Sequence, residues 1–237
     1  MIRQYAINIC GIRSEDLEQY RRLLPPDRLE RIGRFRFDAD RVRSLLGEVM
    51  VRILIRKLYG HDADQIVIRN DEHGRPYAQG LYPGLDFNIS HAGSYVVCGI
   101  GDGRVGIDVE QIRDKDVAAL ARHVFSEEER REWEQLAGEE KIREFYRVWT
   151  VKESYVKYLG LGLGHAFESF ASRKETDGWT RIPEEDRCIL YSQLLDERHY
   201  LTVCTEDKKR EALVLKPEFL MLRDKKLVKK STCTEKK

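Results

Sequence analysis

Two carboxylates, Asp108 and Glu110, stand two positions apart in the run Gly106-Ile107-Asp108-Val109-Glu110. The stretch reads as a strand, where period two aims both acids at one face and turns Ile107 and Val109 the other way into a core. Like charges side by side repel and call for a cation between them. A hard divalent ion such as Mg²⁺, or Mn²⁺, held by one or two carboxylates and by substrate phosphate oxygens, answers that need. Taken alone, the same triplet equally describes solvated acids on an exposed edge strand.

A second group lies in Trp149-Thr150-Val151-Lys152-Glu153-Ser154-Tyr155-Val156-Lys157. On a helix, Glu153 and Lys157 at i and i+4 share a face, while Trp149, Val156 and Leu159 can pack inward. In a phosphate-handling site Glu153 would be a third metal ligand or a general base, with Lys152 and Lys157 as phosphate clamps. The spacing by itself also fits a routine surface Glu–Lys pair. Ser90-His91 ends a strand-like run, where the two side chains could bind phosphate or ribose or simply stabilise the following turn. No G-x-S-x-G elbow surrounds Ser90, which argues against a hydrolase nucleophile. From Arg21 to Lys57, eleven basic residues minus five acidic ones leave +6. Such a patch suits a polyanion, whether nucleic acid or a phosphate-rich cofactor, or is a solvated helix face.

Periodicity gives the helices and strands around these residues. A strand is expected over 2–9, then a short charged helix over 15–24 with Ser14 as N-cap, stopped by Pro25-Pro26. Asp27 restarts a helix. Apolar residues at three- and four-residue steps predict a long helix over 38–59 with Gly60 as its stop. A strand over 66–69, a turn over 71–76, and strands over 86–91, 95–100 and 105–110 follow, the last three expected as an antiparallel meander. The second half repeats the order: a charged helix over 126–135, a long helix over 141–159 before Gly160, then strands over 167–172, 188–194 and 200–205. Aligning the stop glycines gives an offset of 160 − 60 = 100 residues. Each half is thus expected to be one long helix with a small sheet, which suggests an internal duplication. The expected boundaries are 1–103, 104–222 and a basic disordered tail over 223–237.

Composition narrows the class. The chain has 237 residues, 42 Lys plus Arg against 41 Asp plus Glu, and a net charge of +1, so no global field advertises a nucleic-acid or membrane partner. Its uncharged stretch from Asn88 to Gly101 is too short and polar for a membrane span, and the charged N-terminus lacks a signal-peptide apolar region. Five scattered cysteines without a C-x-x-C pair fit reduced thiols. A soluble cytoplasmic protein is the expectation.

Together, Phe87-Asn88-Ile89-Ser90-His91-Ala92, the Gly106–Glu110 run and the Trp149–Lys157 run resemble the Sfp-type 4′-phosphopantetheinyl transferase family. That family's pattern is a G-I/V-D-x-E strand followed some forty-odd residues later by W-S/T-x-K-E-S/A-x-x-K; here the gap is 153 − 108 = 45 residues. The ordered set is far more specific than any one motif, and the resemblance covers roughly 2–205. It implies an α+β fold of two similar halves about a pseudo-two-fold axis, each a long helix packed on a small antiparallel sheet. It further implies a monomer with coenzyme A bound in the cleft between its halves.

The implied reaction moves the 4′-phosphopantetheine arm of coenzyme A onto a serine of an apo acyl or peptidyl carrier protein and releases adenosine 3′,5′-bisphosphate. The pathways such carriers serve make fatty acids, polyketides and nonribosomal peptides, including antibiotics. By carry-over, Asp108, Glu110 and Glu153 would hold Mg²⁺, and Glu153 or a metal-bound water would take the serine proton. Lys157 and Lys152 would grip the pyrophosphate. Arg28, Arg31, Ser44, Ser90 and His91 match positions that hold the coenzyme A 3′-phosphate, and Gly74-Arg75-Pro76 matches the loop beside adenine. Arg28 and Arg31 stand where lysines are common and Ser44 where threonine occurs, which keeps the charge and adds bidentate geometry. The carrier is expected on 158–187, with Leu161, Leu163, Phe167 and Phe170 as apolar contacts. The alternative from another class is a nucleic-acid-binding module using the Arg21 to Lys57 patch.

Overall fold

The computed structural model describes residues 1–81, 83–162, 166–183, 185 and 187–206, together with the backbone of 214 and 215. The basic tail and Leu163 lie outside the described residues. The chain opens with strand β1 (Ile2–Asn8) and a 3-10 helix (Ser14–Leu23), followed by α1 (Pro26–Gly33) and α2 (Asp38–Tyr59). Strands β2 (Val67–Asn70), β3 (Pro76–Gln79), β4 (Leu85–Ala92) and β5 (Tyr95–Asp102) complete the first half. The second half runs β6 (Val105–Gln111), α3 (Ala118–Val124), α4 (Glu127–Glu134), α5 (Gly138–Leu159), β7 (Arg173–Lys174), β8 (Trp179–Arg181), β9 (Ile189–Asp196) and β10 (His199–Thr205).

The two halves share one plan. In the first, β1 pairs antiparallel with β5, which pairs with β4; in the second, β6 pairs antiparallel with β10, which pairs with β9. The short strand β11 (Val214–Leu215) adds to β1 in parallel. Both long helices are 22 residues and end on a left-handed glycine, Gly60 at φ 78° and Gly160 at φ 76°, where a side chain would be strained. α2 buries Val42, Leu45, Leu46, Val49 and Leu54 against Phe87, Val96, Cys98 and Ile100 of its sheet. Between the two sheets, Val97 meets Ile107, Val109 and Leu201, so the halves share a core.

Three local expectations are corrected. The meander breaks after β5: β6 follows it across a tight turn but joins β10 in the other sheet. Side chains of β4 take up backbone groups on the edge of β6 away from β10, so that edge needs no strand neighbour. Asp86 Oδ2 accepts from the Val105 N–H and Asn88 Oδ1 from the Ile107 N–H, each at 2.9 Å. Ser14 does not cap the first helical segment. Its Oγ donates to Asp38 Oδ1 at 2.5 Å, tying that segment to the start of α2, and the Arg13 N–H donates to Asp16 instead. Finally, 167–172 is no strand but a turn of 3-10 helix, Phe167–Ser169, because the carbonyls of Phe167 and Phe170 accept from the Lys152 ammonium.

Candidate active site

The site begins with a glycine. A Cβ on Gly106 would lie 1.9 Å from the Ser154 carbonyl and 2.5 Å from the Tyr158 nitrogen, so only glycine lets α5 rest directly on β6. That contact brings Glu153 and Lys157 of α5 over Asp108 of β6. The alternate residues Asp86, Asn88 and Ser90 of β4 all face β6, and this period-two ladder sets the third wall.

Ser90 Oγ donates to Asp108 Oδ1 at 2.7 Å, and Lys157 Nζ donates to the same oxygen at 2.5 Å and to Ser90 Oγ at 3.0 Å. Asp108 is 3% exposed, yet among the described residues its second oxygen, Oδ2, has no hydrogen-bond partner. Burial pushes Glu110 up to about 7 and Glu153 up to about 6, with the Asp108 charge adding to both. Burial lowers His91, and the cations of Arg43 and Lys157 lower it further, which favours a neutral ring.

These groups line one cleft of about 510 Å³ between the halves. From the first half come Arg28, Arg31, Ser44, Gly74, Pro76, Ser90 and His91; from the second come Asp108, Glu110, Glu153 and Lys157. The carboxylates are an all-oxygen set suited to a hard divalent cation, and the orphaned Asp108 Oδ2 and the raised acids fit one. Among the described residues they do not form a compact three-ligand cluster. Chemically, the cleft can neutralise and orient a polyphosphate between arginines on one wall and a carboxylate–lysine group on the other.

Two sequence candidates lie outside it. Lys152 is fully buried, paired with Glu129 Oε2 at 2.6 Å, and its remaining donors go to the Phe167 and Phe170 carbonyls at 2.8 and 2.6 Å. Burial lowers its pKa, against the opposing charge of Glu129. The Arg75 guanidinium turns away from the cleft to Asp86 Oδ2 at 2.7 Å and the Val105 carbonyl at 2.8 Å. Residues the motifs did not suggest are Arg43 and Glu48, both lining the cleft. Glu48 pairs with Arg28 on one side and with the buried Arg52 at 2.8 Å on the other, so it fixes Arg28. The i, i+4 spacing of Glu48 and Arg52 inside an apolar helix was its one visible signal.

Within the Arg21 to Lys57 patch, Arg21, Arg28, Arg34, Arg41, Arg43 and Arg52 each pair with a carboxylate. No described helix is long and apolar enough to cross a membrane.

Comparison with known proteins bears on both walls. A family model described as "4'-phosphopantetheinyl transferase, N-terminal" matches residues 13–100, and one described as "4'-phosphopantetheinyl transferase superfamily" matches residues 104–210. The 4′-phosphopantetheinyl transferase psf-1 of Bacillus pumilus is 32% identical over 194 residues, covering 81% of this chain and 82% of the relative. The 4′-phosphopantetheinyl transferase Sfp of Bacillus subtilis (strain 168) is 32% identical over 193 residues, covering 80% and 85%. The L-aminoadipate-semialdehyde dehydrogenase-phosphopantetheinyl transferase of Pongo abelii is 27% identical over 206 residues, covering 77% and 67%. With the carboxylate–lysine wall inside the second matched segment and most of the arginine wall inside the first, the chain belongs to the 4′-phosphopantetheinyl transferase superfamily and is an enzyme of its Sfp type.

Proposed function

We propose that this enzyme transfers the 4′-phosphopantetheine moiety of coenzyme A to a serine hydroxyl of an apo acyl or peptidyl carrier protein and releases adenosine 3′,5′-bisphosphate. The observation that carries the reading is the cleft itself, where Arg28, Arg31, Ser44, Ser90 and His91 oppose Asp108, Glu110, Glu153 and Lys157. Coenzyme A carries a 3′-phosphate and a pyrophosphate at separate places, and the two walls offer separate sites of matching chemistry.

Arg28 and Arg31 take the 3′-phosphate, with Arg28 held in place by Glu48. His91 and Ser44 donate hydrogen bonds nearby, and Gly74 and Pro76 leave room for the flat base. Asp108, Glu110 and Glu153 would hold Mg²⁺, whose charge neutralises the pyrophosphate. Lys157 leaves Asp108 for the departing phosphate and stabilises the charge that grows there. Glu153 accepts the serine proton. The serine oxygen bonds to the phosphorus nearer the pantetheine, the phosphoanhydride bond breaks, and the bisphosphate leaves with that electron pair.

The carrier docks over 158–187, where Leu161 is exposed and Phe167 half-buried. Phe170 packs beneath, edge-on to Tyr155, and serves the core. The test is incubation of an apo-carrier panel with coenzyme A and Mg²⁺: one phosphopantetheine per carrier is expected, and an unmodified panel would overturn the reading.

A further inference from the structure

We propose that Arg75 is a positioning residue for Lys157, fastening the end of the catalytic helix to the turn at the rim of the cleft. The turn is rigid: Asp71 Oδ1 accepts from the His73 and Arg75 N–H groups, both at 2.9 Å, and Gly74 adopts φ 83°. Its neighbours Gly74 and Pro76 line the cleft, while the Arg75 side chain, only 7% exposed, reaches behind it. There one guanidinium joins three elements. It bonds Asp86 of β4 at 2.7 Å, the Val105 carbonyl of β6 at 2.8 Å and the carbonyl of Lys157 itself on α5.

The last carbonyls of a helix lack partners within it. Arg104 takes the next two, Tyr158 at 2.7 Å and Leu159 at 3.0 Å, so two arginines hold the last three carbonyls of α5. Cations there also oppose the negative end of the helix dipole. Because Arg75 grips the backbone of Lys157, it sets where Nζ starts, 2.5 Å from Asp108 Oδ1. A displacement of about 1 Å at a reacting group can cost ~100-fold in rate. Lysine cannot replace the planar fork that serves three acceptors at once.

The inference rests on the proposed transferase reading, and its test separates the two. Wild type, Arg75→Lys, Arg75→Met, Lys157→Ala and the Arg75→Met/Lys157→Ala double variant are compared for coenzyme A affinity by calorimetry and for kcat on an apo carrier. Arg75→Lys and Arg75→Met should bind coenzyme A within about twofold of wild type but turn over about 10- to 100-fold more slowly. In the Lys157→Ala background, Arg75→Met should cost nothing further, because it acts through Lys157. Losses that multiply in that background, or a coenzyme A affinity that falls in step with activity, would overturn the proposal. Hydrogen exchange needs no activity: amides at the end of α5 should exchange faster in Arg75→Lys, and unchanged protection there would also overturn it. A wild type that transfers nothing would count against the proposed reaction and leave the exchange result to judge Arg75.

Discussion

The Ser90 hydroxyl donates to Asp108 Oδ1 at 2.7 Å across the boundary between the two halves of the molecule. With Lys157 on the same oxygen, Oδ1 is occupied, and among the described residues Oδ2 has no hydrogen-bond partner. Ser90 thereby orients Asp108, the carboxylate we propose as a metal ligand. Ser90→Ala should weaken divalent-cation binding about 10- to 100-fold, the usual effect of losing such an orienting bond. Calorimetric titration with Mg²⁺ or Mn²⁺ reads this directly, and an unchanged affinity would sink the assignment.

Asn88 holds the boundary one step further along the same strand. Its Oδ1 accepts from the buried Ile107 N–H, which has β4's side chain where a strand neighbour would be. Asn88→Ala strands that donor and should lower stability by about 1–3 kcal/mol in urea unfolding. A neutral substitution would mean that the contact between β4 and β6 does little to join the halves.

Gly106→Ala tests how closely α5 lies on β6. With a Cβ placed 1.9 Å from the Ser154 carbonyl, the clash is with backbone and cannot be relieved by a rotamer change. The expected cost is at least about 3 kcal/mol, at the upper end for overpacking. A variant as stable and active as wild type would contradict the contact.

The raised acids set a pH dependence with a definite sign. Glu110, pushed from 4.5 up to about 7, binds more proton in the folded than in the unfolded chain between those values. Its contribution to stability is therefore lost as pH rises through that window, in the cation-free protein. Glu110→Gln removes the penalty, so its melting temperature relative to wild type should climb from pH 5 to pH 8. A flat or falling difference would refute the burial of Glu110 beside the Asp108 charge.

Much of this was legible in the sequence, for identifiable reasons. The period of α2 and α5, their stop glycines and their offset exposed the duplicated plan, and the Asp108–Glu110 and Glu153–Lys157 spacings placed four groups on one cleft. The polar residues at alternate positions Asp86, Asn88 and Ser90 were equally visible. Their meaning was not, because the partner they face, β6, is chosen by packing between the halves and not by local pattern. Lys152 sits one position, or about 100° of helix, from Glu153, which already turns it off the cleft face. What it meets instead, Glu129 from α4, is a tertiary fact.

That buried pair yields its own test. Lys152→Met leaves the buried Glu129 without its cation and should destabilise the protein by about 3 kcal/mol. Adding Glu129→Gln should recover much of the loss and leave coenzyme A affinity at the wild-type value. Weakened coenzyme A binding in that folded double variant would return Lys152 to the ligand.

The carboxylate and lysine wall of the cleft is proposed to perform phosphopantetheine transfer. Intact-mass analysis of an apo carrier, incubated with coenzyme A, Mg²⁺ and either wild type or Asp108→Asn, tests it most directly. Wild type should add one phosphopantetheine per carrier and the isosteric variant none over the same time. Equal modification by both proteins would contradict it.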